Sequence, residues 1–418
     1  MSARDLAIAA AAIIMWLLIS KRAEQVNISA ALALVVMGVV LANGPWAVID
    51  VDLREEAIKV LAEATLALVL FGDASRVNVR RLRNDMAVPV RLLTIGLPLT
   101  ILLGIGISTL VVPNTGFWVA AAIAVIVAPT DAALGAPILV NERIPASIRR
   151  ALNVESGLND GIATPFVNLF LAAALAGSLG QGDGVRTAVA HLAVGAVFGI
   201  AIGAGGGLLI RYASRAGLML KGAQPLAVLG LAGLAYVGAL PLHGNGFISA
   251  FVAGMAFGAC IRNPEAEDAE GNGSDGSDET TEFTGEVAEG LTMLVWFAFG
   301  STLLVPAIRG AQWGDFLFAA LALTVVRMVP VAIALAGTGL DRATVAIVGW
   351  FGPRGLASVV FTLIALDELD AADGQRVLSV VSITVALSVL AHGVSASPLA
   401  RLYGQRATKA REGVAARR

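Results

Sequence analysis

Only 14% of the 418 residues are charged and 57% are apolar, whereas an ordinary soluble domain carries about a quarter charged and under half apolar. That balance excludes a soluble globular protein, and the separate apolar windows of roughly 20 residues, such as 28–44, 89–112 and 187–210, are too many to be buried cores. The single cysteine, Cys260, excludes an internal disulfide and a thiolate metal site, and the net charge of −2 says less than its distribution.

In chain order, apolar runs between polar breaks predict about thirteen transmembrane helices. They lie near 5–20, 27–44, 57–75, 89–112, 117–140, 151–176, 187–210, 223–240, 246–261, 287–307, 314–336, 343–365 and 375–400. The first run follows Arg4 and ends at Lys21 and Arg22 rather than at small residues suited to cleavage, so it reads as a retained span and not a signal peptide. The stretch 263–289 is acidic, rich in Gly and Ser, and predicts a mobile loop. If alternate loops face opposite sides, about twenty Lys and Arg fall on one side and about six on the other. The basic side includes Arg76, Arg80, Arg81, Arg83, Arg143, Arg149, Arg150, Lys221, Arg262 and the tail 401–418. This places the C-terminus in the cytoplasm and the N-terminus outside, which requires an odd number of spans.

An ionisable side chain deep in a span costs a few kcal/mol or more, so it marks a cavity, a partner or a pathway. Here such residues cluster. Span 3 carries Asp73, span 5 Thr130 and Asp131, span 6 Glu155, Ser156, Asn159 and Asp160, span 11 Arg327 and span 12 Arg354. On span 6, Glu155 and Asn159 lie one turn apart, and Ser156 and Asp160 form the adjacent pair at the same spacing. A hydroxyl stacked on a carboxylate offers hard oxygen ligands that suit Na⁺ or Li⁺ and not a soft metal. Asp73 reads equally well as a helix-end residue meeting water or Arg76.

Two spans are interrupted. Span 5 reads Ala-Pro-Thr-Asp at 128–131, then Gly135, Ala136 and Pro137; span 12 reads Gly352, Pro353, Arg354, Gly355. Proline removes a backbone donor, so regular helix should fail at both places and free carbonyls to help bind a cation. Such a pair in corresponding positions points to a transporter site, and their offset of seven spans makes two inverted six-helix repeats, spans 1–6 and 8–13, joined by span 7. Buried carboxylates need counter-charge to stay ionised, and arginine supplies it at any relevant pH. Arg327 is expected to pair with Glu155 while Arg354 neutralises the crossing; the sequence leaves the reverse assignment open.

The run VESGLNDG at 154–161 resembles the signature of the cation:proton antiporter-1 family, the NhaP-type Na⁺/H⁺ antiporters related to animal Na⁺/H⁺ exchangers. Supporting matches are APTDAALGAP at 128–137, GNGFISAFVAG at 244–254, the Arg327 helix and FGPRGLAS at 351–358, so the resemblance covers nearly the whole chain. It implies a homodimer. It also implies a dimerisation domain formed by 1–88 and 187–312, a transport core formed by 89–186 and 313–400, and a basic tail 401–418. Asp160 would bind either cation or proton, with Asn159 its neutral neighbour, Ser156 and Thr130 as further ligands and Asp131 acting through water. The Asn-Asp pair resembles the electroneutral, one-for-one branch. Many members carry a glutamate where this chain reads Phe71-Gly72-Asp73, which leaves the part played by Asp73 open.

One site suffices for the mechanism: Asp160 holds a proton at low pH and a cation displaces it as pH or cation concentration rises. Energy comes from ion gradients, so no cofactor, nucleotide or nucleic acid is expected, and no Walker-type P-loop is present in the sequence. Na⁺ is the first candidate substrate, with Li⁺ or K⁺ as alternatives. A sodium-coupled symporter of an organic solute is the alternative on the same fold. An intramembrane aspartyl protease using Asp131 and Asp160 is a remote one, because it has no use for the arginines or the paired breaks. His191, His243 and His392 are assigned no role.

Overall fold

The computed structural model describes residues 3–43, 47–49, 56–77, 87–131, 134, 139, 141, 144–177, 183–220, 222–261 and 276–415. Among them every regular element is a helix and none is a strand. In chain order these are α1 Ala3–Gln25, α2 Ala30–Asn43, α3 Glu56–Arg76, α4 Ala87–Val111, α5 Phe117–Val127, α6 Ala146–Ala176 and α7 Asp183–Arg215. Then follow α8 Ala223–Ala239, α9 Gly246–Ile261, α10 Gly276–Ala298, α11 Trp313–Leu323, α12 Val325–Ala334, α13 Arg342–Trp350, α14 Leu356–Glu368 and α15 Ala371–Ala415. Short turns of π-helix interrupt α4 at Leu92–Gly96 and continue α10 at Phe299–Leu303, after which Leu304–Arg309 is again α-helical.

Eight helical stretches among the described residues, one of them running through α11 and α12, are long and apolar enough to cross a membrane, and α2, α5 and α9 are shorter apolar helices. Their large side chains point outward in numbers that water would not tolerate: Leu18, Leu110 and Trp313 are each over four-fifths exposed. Apolar contact of that extent marks a surface solvated by something other than water.

The chain divides into two compact units. The first comprises Met1–Lys59, Arg83–Ser178 and Met293–Arg418, and the second Val60–Leu82 and Leu179–Thr292. In the first, Leu92, Ile148, Val331, Val348, Ala396 and Tyr403 form a core that gathers α4, α6, α12, α13 and α15. In the second, the helices approach so closely that backbone meets backbone. A Cβ added at Gly203 of α7 would lie 2.1 Å from the Ala253 carbonyl oxygen of α9, so only hydrogen fits there. Tyr236 of α8 donates to Glu63 of α3 at 2.9 Å, a polar contact that the sequence reading overlooked.

Three expectations need correction or refinement. Span 11 is not one helix: it breaks at Thr324, whose φ of −111° and ψ of −88° separate α11 from α12. No Gly or Pro marks that break; it frees the Ala322 carbonyl, which accepts from the buried Arg354 guanidinium at 3.3 Å. The acidic stretch 263–289 is not loop throughout, since α10 starts at Gly276. Val287 and Ala288 pack against the core of the second unit, and the average polarity of the window hides that apolar stripe. The helix of span 5 ends at Val127, just before the interruption expected at 128–131. Gly135, Ala136 and Pro137 lie outside the described residues, as do Arg80, Arg81, Arg83, Arg143, Lys221, Arg262 and residues 263–275.

Candidate functional site

The site is assembled within the first unit, where α5 stops against the interruption between α13 and α14. Every residue of α5 after its first two is buried. Pro129 has no N–H with which to continue the helix, and the chain is non-helical through Thr130 to Asp131, whose N–H donates to the Pro353 carbonyl at 2.8 Å. Residues 351–355 are likewise non-helical. The two broken spans therefore cross at Thr130–Asp131 and Pro353–Arg354, held by a backbone hydrogen bond.

A crossing of broken helices exposes helix ends and their partial charges, negative at a C-terminus and positive at an N-terminus. Arg354 answers the first. Fully buried, it donates to the carbonyls of Ala128 at 2.6 Å and Pro129 at 3.2 Å, at the end of α5, and to Ala322 near the end of α11. Asp131 answers the second, accepting from the N–H of Leu356 at the start of α14 at 3.3 Å. The carboxylate lies where a side chain on Gly355 would go, since an added Cβ would fall 1.9 Å from Asp131 Oδ2. Ser358 adds a further link, donating to the Ile126 carbonyl at 2.7 Å.

Helix α6 lies against this crossing. Glu155 and Arg327, both 3% exposed, form a two-pronged ion pair at 2.5 and 2.9 Å. Of Arg327 and Arg354 it is thus Arg327, on α12, that meets Glu155. Its planar fork matches the carboxylate and satisfies both charges away from water. One turn further, Ser156 donates to the Thr130 carbonyl at 2.7 Å and Asn159 donates its amide to the Thr130 hydroxyl at 2.7 Å. The structure therefore brings Ser156 and Asn159 together on Thr130, rather than pairing Ser156 with Asp160 alone. The Asn159 amide oxygen is buried and accepts no hydrogen bond. Asp160 follows on α6, partly buried, its backbone carbonyl accepting from the Thr164 hydroxyl at 2.8 Å. Asp73 stands near the end of α3, in the second unit, partly buried.

The resulting donor set is carbonyl, hydroxyl, amide and carboxylate oxygen. Among the described residues no group of three or more His, Cys, Asp or Glu could hold a metal ion. Neutral oxygens with one carboxylate suit a monovalent hard cation, because they replace its hydration shell without over-neutralising it. Two features escaped the sequence reading. Arg376 of α15 makes a buried ion pair with Asp315, which also caps the first turn of α11 through the Gln312 backbone N–H. The spacing Gln312-x-x-Asp315 is a capping signal that could have flagged it. His392 and Ser388 of α15 also contact the crossing.

Residues 8–402 match the sodium/hydrogen exchanger transmembrane family. This chain belongs to that family, and is therefore a multi-pass membrane transport protein and not an enzyme. Its fold is similar to that of the sodium proton antiporter MjNhaP1 from Methanocaldococcus jannaschii at pH 8, with a TM-score of 0.77 at 18% identity over 93% of this chain and 98% of that one. A second structure of the same antiporter, from an electron-microscopy map, aligns with a TM-score of 0.72 at 19% identity over 94% of this chain and 96% of that one. No curated protein matches the sequence.

Proposed function

We propose that the protein exchanges Na⁺ for H⁺ across the cell membrane, one for one, with both ions competing for Asp160. Family membership supports sodium/proton antiport. The observation that carries the site is the cluster of Thr130, Ser156 and Asn159 at the crossing, with Asp160 the next residue on α6. Glu155 is neutralised by Arg327, while Arg354 and Asp131 each face a helix end of opposite sign. Asp160, to which the family resemblance assigns the ions, is the carboxylate we take to change occupant. Na⁺ would rest among Asp160, Ser156 and Thr130, and Li⁺ or K⁺ would compete there by size.

With a proton or a cation bound, Asp160 is locally neutral; empty, it carries a net charge that is costly to move through an apolar gate. Only the loaded forms cross, so each cation moved one way returns a proton the other way. The core of 89–186 and 313–400 would move against a dimer scaffold of 1–88 and 187–312. Thirteen spans in two inverted repeats, with N-terminus outside and basic C-terminus in the cytoplasm, complete the picture.

The test is transport by the purified chain in liposomes carrying a trapped pH dye and an imposed pH gradient. External Na⁺ should dissipate the gradient in the native chain, independently of clamped voltage, and the response should vanish in Asp160→Asn. A folded native chain that moves no protons when Na⁺, Li⁺ or K⁺ is added would sink the proposal.

A further inference from the structure

His392 sits on α15 with no solvent exposure, and neither the ion site nor its charge matching uses it. Its Nε2 lies 2.9 Å from the Trp350 carbonyl, the last residue of α13. A carbonyl can only accept, so Nε2 carries a proton. Its Nδ1 lies 3.1 Å from the Ser388 hydroxyl oxygen, and that hydroxyl accepts from the Arg354 N–H at 2.7 Å. With the ring neutral, every one of these atoms pairs. Arg354 N–H donates to Ser388, the Ser388 hydroxyl donates to Nδ1, and Nε2–H donates to Trp350. The Ser388 carbonyl, 2.9 Å from Nδ1, is an acceptor only for a doubly protonated ring. Trp350 is tied to α15 twice more, through its indole N–H to Ser395 at 3.0 Å and through ring contact with His392 at 5.2 Å.

We infer that Ser388 and His392 are positioning residues: a hydrogen-bonded strap on α15 that holds both ends of the non-helical segment 351–355. Thr130 is reached through a continuous line of contacts. Ser388 fixes the Arg354 backbone, the Arg354 guanidinium fixes the Ala128 and Pro129 carbonyls, and the next residue, Thr130, meets Ser156 and Asn159. Hydrogen bonds buried away from water have no solvent to replace them, so the segment has strong reason to keep this path. The strap itself stands on this geometry; its effect on transport rests on the exchange proposed above. Loosening it should weaken cation binding rather than merely slow turnover, because it displaces the ligands at Thr130 before it touches the moving surfaces.

The experiment compares Ser388→Ala, His392→Phe and His392→Gln with the native chain, all in detergent and in liposomes. Hydrogen exchange by mass spectrometry over residues 351–358 should speed up about fivefold or more in Ser388→Ala and His392→Phe, the effect of one lost hydrogen bond. The Na⁺ concentration for half-maximal transport should rise by a similar factor in both, while His392→Gln, which keeps a donor toward Trp350, stays within about twofold of native. Unchanged exchange in Ser388→Ala overturns the strap even if His392→Phe fails to fold. Faster exchange with native half-saturation overturns the positioning role, and equal impairment of Gln and Phe shows that volume rather than hydrogen bonding matters. Should the native chain prove inactive toward Na⁺, the exchange proposal falls while the hydrogen-exchange result still decides the strap.

Discussion

Glu155 and Arg327 each solve a problem that the other creates. A carboxylate or a guanidinium alone at 3% exposure would be an unmatched charge in a medium that cannot solvate it. Removing one partner should therefore cost more than removing both. Glu155→Gln or Arg327→Met is expected to destabilise by about 3–5 kcal/mol, and the double replacement by clearly less. Thermal unfolding of the four proteins in one detergent checks this, and an additive double variant would contradict it. Asp341, outside the spans at the start of α13, is a milder case. Its carboxylate accepts from the Thr344 hydroxyl and N–H, which holds it below its ordinary value of 3.8 against the opposing effect of burial. A carboxylate depressed in the folded state contributes stability that is fully present above its unfolded value and lost as pH falls through the lower folded one. Asp341→Ala should thus lower stability at neutral pH by about 1 kcal/mol, as loss of a cap does, with the difference from native shrinking once the pH drops below that value.

Broken helices and glycine contacts decide what the elements can do. The interruptions in spans 5 and 12 were legible because Pro129, Pro353 and their neighbouring glycines announce them, and the residues brought together there were already conspicuous as charges in apolar runs. The break at Thr324 was not legible. It accompanies the contact of the Ala322 carbonyl with Arg354, 32 residues further on, which neither Gly nor Pro announces locally. The Ser156–Thr130–Asn159 cluster was half legible: the residues could be picked out, but helical spacing on α6 could not reveal that a backbone carbonyl from the segment after α5 would join them. The partner of Glu155 was open between two arginines for the same reason. Close helix approach gives a prediction at this scale. Gly203→Leu should force α7 away from α9, where even a Cβ would fall 2.1 Å from a carbonyl oxygen, and cost about 1–3 kcal/mol. Thermal unfolding reads the loss, and a native-like melting temperature would show that the α7–α9 contact gives way freely.

Taken as a whole molecule, the chain joins exposed apolar side chains to buried charges that meet either an opposite charge or a helix end. An exchanger needs that combination, since the moving core must be neutral overall apart from the one group that changes partner. Sliding or rocking then requires no chemical fuel. The claim that carries the account is that one carboxylate serves both ions, and its direct consequence is competition. The measurement is the Na⁺ concentration giving half-maximal transport in liposomes, taken at a series of pH values with the maximal rate recorded alongside. Competition at Asp160 predicts that this concentration rises about tenfold for each unit of pH below the carboxyl's titration, with the maximal rate unchanged. A half-saturating concentration that stays constant while the maximal rate alone falls would mean that proton and cation occupy separate sites, and would contradict the account.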